Sequence, residues 1–315
     1  MKRVIIGIHG LANKPEKRLL AEWWKAALSE GLERINKSRL SLPFEMSYWA
    51  HHIYSCPKSD NVADPEDSLL LLEPYVHAEG GGSPERSRRL KKRALTVLEK
   101  VMAWSLVSSR DPLRKYRFED LLIKRRFPEL DFYYNNSEGR LRIQQELRRL
   151  LENHRDDSVL LIAHSMGSII AYDLLSASPE LQVAVFVTIG SPLAISSVLK
   201  RAHSRSLTEK GEIRAVVPEA VTGAWWNFFD LEDRIAFNYT LNDDCLPNSR
   251  GVVPVDRTVC NDYSYRGIKN AHKSFGYLRT IEMAAVVAGF LESPVPGLWS
   301  SLRGFFRGLV PRGSS

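Results

Sequence analysis

Ser158-Val159-Leu160-Leu161-Ile162-Ala163-His164-Ser165-Met166-Gly167-Ser168-Ile169-Ile170-Ala171-Tyr172-Asp173-Leu174-Leu175 is the stretch that decides the fold. Its first five residues form a short apolar run, which predicts a strand buried on both faces. From residue 167 to about 177 the apolar residues take helical spacing. Ser165 falls between the two elements, at the apex of a sharp turn, with small Ala163 and Gly167 on its flanks. Such a turn strains the backbone, exposes the hydroxyl and aims the positive helix N-terminus at whatever the serine attacks. Larger flanking side chains would collide with the neighbouring strand or helix. By itself a small-x-Ser-x-Gly pentapeptide is a modest signal; set between strand and helix it is specific.

Outward from this centre, strand and helix signals alternate. A strand over Val4–His9 leads through Gly10-Leu11-Ala12-Asn13-Lys14-Pro15 into a helix over about 16–35, and a second strand follows at 44–50. After an interruption come a helix at 139–154, the strand at 158–163, the helix at 167–177, a strand at 183–189 and a helix near 193–201. Strands at 225–229 and 252–259 and a final helix near 272–291 complete the series, while 203–223 reads as loop. Repeated β-α-β alternation predicts an α/β fold with a mostly parallel sheet flanked by helices. The interruption, residues 55–125, breaks the pattern with Pro57, Pro65, Pro74, Gly80-Gly81-Gly82 and Pro84 and holds a basic amphipathic helix. Because core-like segments lie on both sides, it reads as an inserted, mainly helical cap. The core is then discontinuous, 1–54 and 126–293, followed by an amphipathic tail at 294–308. Residues 309–315 read as a thrombin-cleavage remnant and are set aside.

A serine hydroxyl needs an adjacent base, and the base needs an orienting carboxylate. Of eight histidines, His272 in Lys269-Asn270-Ala271-His272-Lys273-Ser274-Phe275 follows the last strand and opens the last helix, where a late catalytic histidine belongs. Between serine and histidine, Trp225-Trp226-Asn227-Phe228-Phe229-Asp230-Leu231-Glu232-Asp233 is a strand ending in an acidic turn. Asp233 and Asp230 are both candidates for the carboxylate, with Asp233 preferred. The developing oxyanion needs backbone N–H donors. Met166, at the helix N-terminus, and Leu11, after Gly10 in the first turn, are the expected pair. His9, His164, Trp49 and His51 are candidate pocket residues.

The chain resembles α/β-hydrolase-fold serine esterases and lipases. The matching pieces are the His9-Gly10 turn, the Ala163-His164-Ser165-Met166-Gly167 turn, the order Ser165…Asp233…His272, and Thr188-Ile189-Gly190-Ser191-Pro192-Leu193. Resemblance covers roughly 1–50 and 126–291; Ala163 replaces the family's usual glycine, as in several bacterial lipases. It implies ester hydrolysis through an acyl-enzyme at Ser165, with no metal and no organic cofactor. A lipid-directed phospholipase or an acyltransferase would use the same residues, and a non-catalytic binding protein on this fold is the remaining alternative.

Net charge is +7, and residues 85–126 hold 14 basic and 5 acidic residues, so the positive excess is concentrated there. A basic amphipathic helix is suited to an anionic membrane surface or to closing over an acyl chain; the plainer and preferred reading is that its apolar stripe packs on the core while its charges are solvated. No aromatic interleaving points to nucleic acid. The expected partner is a small-molecule or lipid ester, with peripheral membrane contact through the cap as an option. The chain opens on a core strand with no signal peptide or spanning segment, which predicts a cytoplasmic protein. Cys56, Cys245 and Cys260 lack metal-site spacing and read as reduced thiols, with a Cys245–Cys260 bridge as the alternative; Asp243-Asp244 read as solvated loop acids.

Overall fold

The computed structural model describes residues 1–58, 74–78, 128–194, 205–207, 213–233 and 240–292. In chain order the elements are β1 (Arg3–Ile8), α1 (Lys17–Arg34), β2 (Phe44–Ser47), a 3-10 turn (Ala50–His52), α2 (Pro128–Asn135), α3 (Ser137–Asn153), β3 (Ser158–His164), α4 (Met166–Ala177) and β4 (Val183–Ile189). These are followed by β5 (Arg205–Leu207), β6 (Ile213–Val216), β7 (Val221–Phe229), β8 (Cys245–Leu246), β9 (Pro254–Thr258), β10 (Ser264–Tyr265), β11 (Ile268–Lys269), α5 (Ser274–Leu278) and α6 (Ile281–Glu292).

Six strands form one sheet in the order β2-β1-β3-β4-β7-β9, and every pairing is parallel. The side-chain alternation of strands explains the two apolar layers. Val4, Ile6, Ile8, Val159, Leu161 and Ala163 face one cluster with Leu130, Ile143, Leu147 and Ile170, from α2, α3 and α4. Ile5, Leu160, Ile162, Trp226 and Phe228 face the other, with Leu20, Trp24, Phe275 and Val286, from α1, α5 and α6. The molecule is thus an α/β sandwich whose central strand, β3, is buried at all seven positions. From β1 the chain moves outward to β2, whereas from β3 it moves the other way to β4. The carboxyl ends of β1 and β3 therefore lie at the point where the winding reverses, where open parallel sheets leave a crevice.

Several boundaries differ from those expected. The region 203–223 contains β5, β6 and the start of β7, because a small second sheet, β5-β6-β8, packs beside the main one. The final helix is two helices: the first ends at Leu278, and Thr280 Oγ1 accepts the Met283 N–H (3.2 Å) to cap the second. The short α2 was not expected from periodicity; it starts at Pro128, whose fixed φ suits a first helical turn. Part of the 55–125 stretch is built into the core. Tyr75 donates to Glu30 Oε2 (2.8 Å), Val76 O accepts from Arg279 (2.7 Å), and Pro74 O accepts from the Tyr263 hydroxyl (2.6 Å). The basic helix, the 294–308 tail and the helix near 193–201 beyond residue 194 lie outside the described residues. The three cysteines are free thiols. Among the described residues no helix is long and apolar enough to cross a membrane.

Candidate active site

Ser165 sits between β3 and α4 with φ 51° and ψ −126°, a conformation that costs a non-glycine residue about 1–3 kcal/mol. The surroundings enforce it. Ser165 N–H donates to Ile189 O (3.1 Å), and the Ser168 hydroxyl donates to Ser165 O (2.6 Å) while also meeting Ser191 Oγ at 2.7 Å. A Cβ on Gly167 would lie 2.6 Å from His9 O and 2.7 Å from Ile8 O, so only glycine lets α4 start against β1. A Cβ on Gly10 would meet Ser165 Cβ at 2.7 Å. Ser165, whose hydroxyl is expected from the sequence to stand exposed, is instead fully buried, with the hydroxyl engaged by His272.

His272 Nε2 lies 3.0 Å from Ser165 Oγ, and its Nδ1 lies 2.9 and 3.0 Å from the two carboxylate oxygens of Asp233. With a carboxylate as acceptor, the ring proton belongs on Nδ1, which leaves the Nε2 lone pair facing the serine. Asp233 has no exposed surface, and the Tyr277 hydroxyl donates to its Oδ2 (2.7 Å). Burial and the adjacent carboxylate push the Tyr277 hydroxyl far above its ordinary value, so it remains a donor. Gly190, at φ +52°, clears the space beside this pair: a Cβ there would fall 2.9 Å from Asp233 Oδ2 and 3.2 Å from His272 Nδ1. Asp230 points elsewhere. Its oxygens accept backbone N–H groups of Glu232 (2.8 Å) and Asn261 (2.6 Å), closing the turn after β7.

The loop carrying His272 is held by side chains at three successive carbonyls. Asn261 Nδ2 donates to Ala271 O and to Lys273 O, both at 2.8 Å, and His164 Nε2–H donates to His272 O (2.8 Å). Asn270 Oδ1 accepts the His272 N–H (3.1 Å). Asn261 fits because residue 276 is glycine: a Cβ there would overlap Asn261 Oδ1 at 1.7 Å. Upstream, the β10–β11 hairpin turns at Arg266 (φ 50°) and Gly267 (φ 78°), a primed turn that returns the chain to Asn270.

On the other side of Ser165 runs Gly10-Leu11-Ala12. His9, expected as a pocket residue, is buried beneath this turn. Its Nε2 accepts the Trp49 N–H (3.1 Å), and its Nδ1–H donates to Gly10 O (2.9 Å). Burial drives its basicity well below the ordinary histidine value, so it is a neutral brace. Trp49 is likewise fully buried, its indole N–H donating to His9 O (2.9 Å). Neither lines an open pocket; both fix the path of the turn. His164 is also buried and neutral, and belongs to the His272 clamp. His51 stacks on Tyr48 at 5.8 Å and approaches Glu146. Glu129 of α2 accepts the Ala12 N–H (3.1 Å) and the Tyr54 hydroxyl, and Lys14 Nζ donates to Leu11 O and to Ala12 O. Ala12, at φ 67°, is thereby held in the left-handed region. Met166 N–H is in the first turn of α4, where backbone N–H groups lack helical acceptors.

Asn261, Tyr277, Gly276 and Glu129 escaped the sequence reading. Tyr277 stands five residues after His272 in the same segment, the one positional signal available; Asn261 and Glu129 act across the fold. Comparison of the chain with protein-family models, curated proteins and solved structures finds no match.

Proposed function

We propose that this chain is an α/β-hydrolase-fold serine hydrolase that cleaves carboxylic esters through an acyl-enzyme. The observation carrying this reading is the unbroken chain from Ser165 Oγ through His272 to Asp233, with the serine at a strained strand-to-helix turn. Ser165 Oγ would attack the ester carbonyl as His272 Nε2 takes its proton. Asp233, held by Tyr277, stabilises the resulting imidazolium. The tetrahedral oxyanion would lie against the N–H groups of Met166 and Leu11, the former also at the positive end of α4. Collapse expels the alcohol with the proton from Nε2; water then repeats the sequence and releases the acid. No metal or cofactor enters these steps. The inserted stretch 55–125, most of it outside the described residues, is assigned the part of the cap that the resemblance implies.

The test is hydrolysis of p-nitrophenyl esters from acetate to palmitate by the native chain and by Ser165→Ala. The reading expects serine-dependent turnover, with kcat/KM falling by about four to six orders of magnitude in the variant. Equal rates for both proteins would refute it. The chain-length preference separates a compact esterase pocket from a lipid-directed one.

A further inference from the structure

Away from Ser165, three side chains of the metal-ligand type converge. The 3-10 turn places His51 and His52 side by side, ring centroids 4.0 Å apart, and α3 presents Glu146 to both. Glu146 Oε1 lies 3.4 Å from His51 Nε2 and 3.3 Å from His52 Nε2. The three ligand atoms lie within 4.8 Å of one another. N–H···O hydrogen bonds measure about 2.7–3.2 Å, so these contacts are at the outer edge for that purpose. They fit a coordination polyhedron better: metal bonds of about 2.0–2.1 Å arranged tetrahedrally put ligand atoms about 3.3–3.4 Å apart. We propose that His51 Nε2, His52 Nε2 and Glu146 Oε1 form a binding site for one divalent transition-metal ion of the zinc type, with water in the fourth position. The site departs from the expectation of a metal-free chain and shares no residue with the Ser165–His272–Asp233 chain.

The donor set selects the ion. Two imidazoles and one carboxylate suit zinc and its neighbours, whereas calcium and magnesium call for oxygen ligands. The frame is rigid where it must be. His52 N–H donates to Trp49 O (3.1 Å) and Ile53 N–H to Ala50 O (3.0 Å), and Trp49 and Ala50 are fully buried. On α3, Ile143 and Leu147 flank Glu146 and are fully buried in the core. Arg149 approaches Glu146 Oε2 at 3.6 Å, leaving Oε1 for the ion. The His51 side chain is 49% exposed and free to close the nitrogen–nitrogen edge. An ion here would pin the end of β2 to α3, segments far apart in sequence. It would also lie behind the His51–Tyr48–His9 row of rings, spaced 5.8 and 5.2 Å, that backs the Gly10 turn.

The experiment uses the full chain, stripped with a chelator and then titrated with zinc chloride by calorimetry and with Co(II) by visible absorption. The proposal expects one equivalent bound, a tetrahedral nitrogen–oxygen cobalt spectrum without thiolate charge transfer, and a thermal midpoint that rises with zinc. His52→Ala and Glu146→Gln should each weaken binding at least about tenfold, while their metal-free thermal midpoints stay at that of the native chain. No stoichiometric binding, native-like affinity in both variants, or a thiolate band placing the ion on a cysteine would each overturn the assignment.

Discussion

Asp230 and Asp233 are three residues apart and both buried, yet their hydrogen-bond partners give them different work. Asp230 spends both oxygens on backbone N–H groups, so it is a turn-former; burial raises its pKa above the ordinary carboxylate value, and the Glu232 and Asn261 N–H groups oppose that rise. Asp233 faces an imidazole and a phenol. Asp233→Asn should therefore lower kcat by about four orders of magnitude with little change in folding, through loss of the correct imidazole tautomer. Asp230→Asn should keep most of kcat and lower unfolding free energy by about 1–3 kcal/mol, because one backbone donor loses its charged acceptor. Ester kinetics beside denaturant unfolding of the two variants checks this; a larger kcat loss in Asp230→Asn would reverse the assignment. The sequence kept both residues open for a physical reason. An acidic turn after a strand looks the same whether its carboxylates face backbone or histidine, and only the distant Asn261 and Tyr277 distinguish them.

At the scale of elements, the His272 loop is a strap tied at three carbonyls. Asn261 supplies two of those ties and occupies the room left by Gly276. Gly276→Ala should destabilise strongly, at or above the roughly 1–3 kcal/mol of ordinary overpacking, since its Cβ would overlap Asn261 Oδ1. In an Asn261→Ala background the same substitution should cost far less, leaving a coupling of about 1–3 kcal/mol. Additive effects in this double-mutant cycle would contradict the strap. Strong elements were legible from residues: β3 and α4 declare themselves by apolar run and helical spacing, with Ser165 between them. The strap was not, because Asn261 and Gly276 carry no periodic signal and meet only once β9, the hairpin and α5 are in place. Likewise, α2 is only eight residues, about two turns, too short for its spacing to stand out, although its Glu129 fixes the Ala12 backbone.

For the molecule as a whole, strand–helix alternation along the chain predicts the α/β sandwich, and the reversal of winding between β1 and β3 explains why the site forms where it does. What periodicity missed was the second small sheet and the return of residues 74–78 onto α1, since their contacts are long-range and polar. One consequence of this assembly is a stability that depends on Lys14. Burial, reinforced by Lys273, lowers its ammonium from an ordinary 10.5 to about 7. Between those two values the unfolded chain holds a proton that the folded one lacks, so folding gains stability as pH rises from about 7 toward 10.5 and bears the full penalty below 7. Comparing thermal midpoints of the native chain and Lys14→Met, the difference should shift in favour of the native chain over that interval; a flat difference would mean that Lys14 remains charged in the fold.

The account rests on Ser165 being made nucleophilic by His272 and Asp233, and covalent labelling with a fluorophosphonate probe, read by intact mass and peptide mapping, tests that claim most directly. One label per chain on Ser165, abolished in Ser165→Ala and strongly slowed in His272→Ala, is the predicted result. A folded native chain that takes no label, or takes it on another residue, would contradict it.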